Sequence, residues 1–110
     1  MPRTIIQPPG VWDPRPRFAQ VVRSGNQVYI AGQTSVDAEG KLVGKGEIEV
    51  QARQVFENLR KCLEAAGAGF EQVVKLNIYS TDLESHRDVV SRLRRDYFRE
   101  PVASTTIQVS

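Results

Sequence analysis

The stretch GEIEVQARQVFENLRKCLEAAGAGFEQVVKLNIYSTD, Gly46 to Asp82, decides the fold. In its first half Ile48, Ala52, Val55, Phe56, Leu59, Cys62, Leu63 and Ala66 recur at spacings of three and four. That is one apolar stripe on an α-helix of period 3.6. Glu49, Gln51, Arg53, Gln54, Glu57, Asn58, Arg60 and Lys61 fall between them and suit a wet face. Glu47 and Glu49 favour the positive end of the helix, and Arg60 and Lys61 lie nearer the negative end. Gly67 is placed for a left-handed cap, because glycine reaches positive φ without a Cβ penalty. Such a helix is about 30 Å long at roughly 1.5 Å per residue. After Gly69 the period changes to two: Val74, Leu76 and Ile78 point one way, Lys75, Asn77 and Tyr79 the other. A helix that must bury a stripe, followed by a strand with one apolar face, implies helix-on-sheet packing.

Upstream, Thr4-Ile5-Ile6 is a candidate edge strand, and Pro8, Pro9, Pro14 and Pro16 keep Gln7 to Arg17 out of helix and central strand. Trp12 within that loop reads as a local staple in preference to a lid. Phe18 to Arg23 is a strand, Ser24-Gly25-Asn26 a hairpin turn, and Gln27 to Thr34 the return strand. Gly32 inside it marks a bulge, or close approach by backbone or ligand, the bulge being favoured. Asp37 to Gly46 is a surface loop. Downstream, a second helix runs from about Glu84 to Phe98, capped by Asp82 or Ser85, with His86, Val89, Val90, Leu93 and Tyr97 inward. Pro101 ends it, and Ala103 to Val109 is rich in strand formers. The order β-ββ-α-β-α-β fits one sheet with two helices on one face, an α+β layer structure. The open sheet face would carry Tyr29, Asn77, Tyr79 and Thr81, a mixture better suited to a subunit interface than to water.

The totals narrow the function. The 110 residues suit a single domain, 1–110, and the net charge of +2 demands no nucleic acid. One cysteine excludes an internal disulfide and a cysteine metal cage, and Cys62 reads as a buried core thiol. No apolar run approaches the roughly 20 residues a membrane helix needs, so no membrane is involved and a cytoplasmic protein is expected. The single histidine, His86, reads as structural, and no hydrolase, phosphate-loop or metal motif occurs. Neither metal nor other cofactor is expected. Any chemistry must need little: a positioned water, a few hydrogen bonds and an anchor for substrate charge.

Several stretches together resemble one family. They are Phe18-Ala19-Gln20-Val21-Val22, Val28 to Gln33, Gln54 to Leu59, Leu63 to Ala68, Val73 to Asp82, and Asp96-Tyr97-Phe98. In this order they are similar to the Rid family of reactive-intermediate deaminases, also called the YjgF family. The resemblance implies a chorismate-mutase-like fold and a homotrimer whose sheets face one another, with active sites in the clefts between subunits. Family members hydrolyse small enamines and imines to a carbonyl compound and ammonia without a cofactor. It also implies a substrate-binding set here of Phe18, Gly32, Ser91 and Ser104, with no catalytic residue assigned. Three of these depart from the family. Phe18 stands where members have tyrosine, and Ser91 where they have asparagine. Their carboxylate-binding arginine falls on Ser104 when aligned back from Gln108-Val109, or on Ala103 when aligned forward from Pro101. Neither residue carries charge, and serine cannot reproduce a bidentate guanidinium contact. Arg17, beside Phe18, is a substitute anchor on this reading, although a solvated loop arginine is the simpler one. Members also continue past the position of Ser110 into a last strand bearing a glutamate, which this sequence is expected to lack.

Two further readings stand beside imine hydrolysis. One is a non-catalytic trimer that binds or senses a small-molecule metabolite. The other is RNA binding or cleavage, resting on Arg87, Arg92, Arg94, Arg95 and Arg99. No aromatic residue interleaves these arginines, so nucleic acid has the least support.

Overall fold

The computed structural model describes residues 2–110. Strands β1 (Arg3–Ile6), β2 (Val21–Ser24) and β3 (Gln27–Ile30) form an antiparallel sheet in that spatial order. Helix α1 (Ile48–Ala65) follows a long loop, and a 3-10 turn (Phe70–Gln72) leads to β4 (Lys75–Ser80). Helix α2 (Leu83–Arg94) then crosses to β5 (Ala103–Gln108), which pairs parallel with β4.

The β2–β3 hairpin closes on Ser24 opposite Gln27, with Gly25 at φ 63° in the turn. Gly67 ends α1 in the left-handed conformation at φ 76°. There the Ala68 N–H donates to Leu63 O at 2.8 Å and the Gly67 N–H to Glu64 O at 3.0 Å. These are the two bonds of a Schellman cap, which satisfy carbonyls the helix would otherwise orphan. Asp82 caps α2 by accepting from the Ser85 N–H at 3.2 Å, and its bonds to Ser85 hold its carboxyl below the usual range.

The stripe of α1 divides between two cores. Cys62 and Ala66 pack with Val11 and Val21, flanked by Ile6, Val28 and Ile30 of the antiparallel sheet. Ala52 and Phe56 pack with Leu93, flanked by Val89, Val90, Tyr97 and Phe98. Phe56 stacks on Tyr97 at 4.9 Å between ring centroids, and Phe70 meets Tyr97 and Phe98 at 5.3 and 5.0 Å. Cys62 is fully buried, and burial pushes its thiol up to about 11, which suppresses the reactive thiolate.

Four expectations need correction. The single sheet is two sheets, because no ladder joins β3 to β4 among the described residues. Periodicity identifies strands but not which edges pair. The first hairpin strand begins at Val21, so Phe18 belongs to the preceding loop. The return strand stops at Ile30, which leaves Gly32 beyond its end and not in a bulge. Helix α2 stops at Arg94, where three-residue bonds from Asp96 N–H to Leu93 O and from Tyr97 N–H to Arg94 O tighten the chain. That tightening turns Tyr97 and Phe98 onto Phe56 and Phe70.

An added Cβ at Gly67 would meet nothing within 4 Å, so its cost is conformational alone. Gly67→Ala should destabilise the protein by about 1–2 kcal/mol. Urea unfolding should show a lower midpoint with an unchanged slope.

Candidate active site

A pocket of about 230 Å³ opens where the proline-rich loop meets the end of β3. Val11, Trp12 and Phe18 form its apolar wall, and Trp12 meets Phe18 edge-on at 6.3 Å between centroids. Gln20 and Asn58 lie at its base, only 4% and 2% exposed. Gly32, Gln33, Thr34 and Val36 complete it.

A chain of amides shapes this base. Gln33 Nε2 donates to Gln20 Oε1 at 2.8 Å and to Ala31 O at 3.0 Å, and Gln20 Nε2 donates to Trp12 O at 3.0 Å. Asn58 Nδ2 donates to Thr34 O and Val36 O at 3.2 and 3.0 Å, while its Oδ1 accepts from Gln54 Nε2 at 2.9 Å. Asn58 is therefore satisfied and holds the segment after β3 against α1. Among the polar groups of the lining residues that have no partner among the described residues are the Gly32 N–H, Gln33 Oε1, the Trp12 indole N–H and the Thr34 hydroxyl. An added Cβ at Gly32 would meet nothing within 4 Å, so this stretch of backbone faces open space. No ionisable side chain lines the pocket. The arrangement offers free donors and acceptors beside an aromatic wall, enough to orient a small polar molecule or a water.

The residues implied by the resemblance divide. Phe18 and Gly32 line the pocket together, and Arg17 lies over the face of Trp12, 5.5 Å from the ring centroid. Ser91 is exposed on α2 and Ser104 lies on β5; neither lines the pocket. The β4–β5 register sets Ser104 beside Leu76 and Ala103 beside Lys75. Ser104 Oγ accepts from Arg94 Nη1 at 3.0 Å, so this serine faces the helix layer. Lys75 Nζ donates to Thr105 Oγ1 at 2.7 Å, so Ala103 and Thr105 share the open face.

Gln20, Gln33 and Asn58 are the residues sequence reasoning missed as a group. Asn58, expected on the wet face of α1, is instead buried; it stands three residues after Val55 and four before Cys62, which is the signal for its true side. A more open groove of about 270 Å³ runs beside α1, lined in part by Glu49, Arg53 and Glu57. Its carboxylates are engaged: Glu57 with Arg60 and with the Tyr97 hydroxyl at 2.8 Å, Glu49 with Arg92. The first pocket is therefore the better candidate. Among the described residues, no three His, Cys, Asp or Glu side chains converge on a metal position, and no helix is long and apolar enough to cross a membrane.

Residues 11–110 match the family described as endoribonuclease L-PSP, the YjgF and RutC group. The chain belongs to this family, which includes the Rid proteins. A RutC family protein of Pyrococcus horikoshii is 34% identical over 94 residues, covering 84% of this chain and 74% of the relative. A protein of Dermatophagoides farinae named 2-iminobutanoate/2-iminopropanoate deaminase is 30% identical over 110 residues, covering 99% of this chain and 85% of the relative. Among solved structures, RidA from an Antarctic Psychrobacter superposes with a TM-score of 0.86 at 36% identity, over 96% of this chain and 85% of that one. A Rid protein of unknown function from Yersinia pestis gives 0.91 at 27% identity, over 99% and 87%. The Rid chains thus share the α+β arrangement seen here.

Replacing Asn58 with leucine removes both bonds to the Thr34 and Val36 carbonyls. Asn58→Leu should cost about 1–3 kcal/mol, the usual penalty for orphaning buried polar groups. Amide exchange across residues 34–36 should accelerate in this variant while exchange in β1 and β2 changes less.

Proposed function

We propose that this Rid-family chain hydrolyses small enamines or imines to a carbonyl compound and ammonia at the pocket of Trp12, Phe18 and Gly32. The supporting observation is the pairing of an unpartnered Gly32 N–H with Gln33 Oε1 beside an uncharged aromatic wall. The balance is simple. An enamine first tautomerises to the imine; water then adds to the carbon of the C=N bond, its two protons pass in turn to nitrogen, the C–N bond breaks, and ammonia leaves the new carbonyl. Imines already react readily with water, so positioning the imine and one water supplies most of what is needed. On this reading the Gly32 N–H holds a polar substrate atom, Gln33 Oε1 orients water, and Phe18 shapes the wall without hydrogen bonding. No cofactor takes part. The deaminase name of the Dermatophagoides relative favours this chemistry.

The reading includes a cytoplasmic homotrimer, in which a neighbouring copy completes each pocket and could bring Ser91 or the open face of β5 to it. Tyr29 and Tyr79 are 60% and 62% exposed, and Ile107, Asn77 and Thr81 are exposed as well. Surfaces of that composition on the two sheets are better covered by protein than left in water. The ribonuclease reading has less support, because Arg92 is paired with Glu49 and Arg94 lies over Phe98.

Freshly generated 2-iminopropanoate, added to the protein, should yield pyruvate faster than in buffer alone. Equal rates in both, with the fold intact, would exclude hydrolysis and leave a small-molecule sensor. In sedimentation at micromolar concentration the mass should equal three chains, and a mass of one chain would exclude the trimer.

A further inference from the structure

Trp12 is clamped in place. Its backbone carbonyl accepts from Gln7 Nε2 at 3.3 Å and from Gln20 Nε2 at 3.0 Å. The Arg17 guanidinium lies over the ring, 5.5 Å from its centroid, and Phe18 meets the ring edge-on. The pyrrole edge rests on Gly40, where an added Cβ would come within 2.9 Å of Trp12 Nε1 and 3.0 Å of Cδ1. Gly40 has φ 82° and sits at the tip of a short hairpin from Ser35 to Val43. That hairpin is itself well braced. Val36 bridges Leu42, and the Val43 N–H donates to Ser35 O at 2.9 Å. Asp37 Oδ1 accepts from the Glu39 and Lys41 N–H groups at 2.9 and 3.0 Å. Asn58 ties the first arm of the hairpin to α1 through Val36 O.

A wall held in this way cannot swing aside for a bulky ligand without breaking those contacts. Gly40 touches the indole but does not line the pocket, so the brace acts on the wall from outside the cavity. The cavity itself is about 230 Å³, below the roughly 300–1,000 Å³ of sites that enclose drug-sized ligands. A hydrolytic site must also leave room for the attacking water, which takes about 30 Å³. Little space remains for a side chain on the substrate, and a close-packed wall registers each added carbon. We infer that Trp12, braced by Gly40, is the specificity-determining residue of this pocket. It favours imines whose C=N carbon bears a short unbranched alkyl group over those that bear an aromatic side chain. The inference rests on the pocket being the reaction site and adds the size of the substrate it takes.

The test compares the parent, Trp12→Phe and Trp12→Ala on freshly generated 2-iminobutanoate and 2-imino-3-phenylpropanoate, following ammonia release above the buffer rate. Gly32 amide shifts on titration with the two matching 2-oxo acids give a second readout that needs no turnover. The parent should favour the ethyl member by about 10-fold or more, the scale on which a hydrophobic pocket separates substrates by a few carbons. Trp12→Ala should bring the two near parity by gaining on the benzyl member, with Trp12→Phe in between. A purely structural role would lower both members together and leave their ratio alone. If Trp12→Ala does not fold, the ratio in Trp12→Phe decides in the same way. An unchanged ratio overturns the proposal, as does a parent that treats both members alike or binds neither 2-oxo acid. Imine hydrolysis that persists in any of those cases leaves the hydrolase reading standing. Size-ranked binding that the Trp12 variants erase, without any imine turnover, supports the filter and defeats the hydrolase reading.

Discussion

Burial of the α1 stripe holds the molecule together. One turn of the helix, at Cys62 and Ala66, packs on the antiparallel sheet; two turns earlier, Ala52 and Phe56 pack on α2 and its aromatic tail. Among the described residues the two sheets share no ladder, and this helix is the layer that both cores have in common. Fully burying a phenylalanine or leucine stabilises by about 1.5–3 kcal/mol. Asn58 sits between the two cores on the same helix and ties down Thr34 and Val36. The element that joins the halves therefore also sets the base of the pocket, and fold and site rest on one piece of backbone.

Much of this was legible in the amino-acid sequence. The 3.6-residue stripe from Ile48 to Ala66, the glycine at 67 and the alternation around Leu76 and Ile78 were sufficient for α1, its cap and β4. Family membership was legible too, because the stretches around Gly32, Asn58 and Asn77 occur together in one order. The sheet pairing was not. Alternation reports which side chains share a face, while pairing depends on which edges meet in space. The end of α2 was also hidden, since Tyr97 continues the apolar stripe although the backbone tightens before it.

The site was legible in part. Phe18 and Gly32 were expected together and do line one pocket. The amides of Gln20, Gln33 and Asn58 were not expected there, because a glutamine or asparagine reads as surface until its partners are known. Arg17 read most simply as a solvated loop residue. It is exposed, lies over Trp12 and is not among the residues that line the pocket. Ser104 turned on register: beside Leu76 it faces Arg94, whereas Ala103 looks out from the open face.

The site that emerges is sparse, with a wall of two aromatics, a backbone N–H and an amide oxygen. That inventory suits a reaction whose barrier in water is already low. A crystal structure of the protein soaked with 2-oxobutanoate tests this account most directly. The account predicts ligand density against Trp12 and Phe18, with the keto oxygen near the Gly32 N–H. Density seated elsewhere, with this pocket empty, would contradict it.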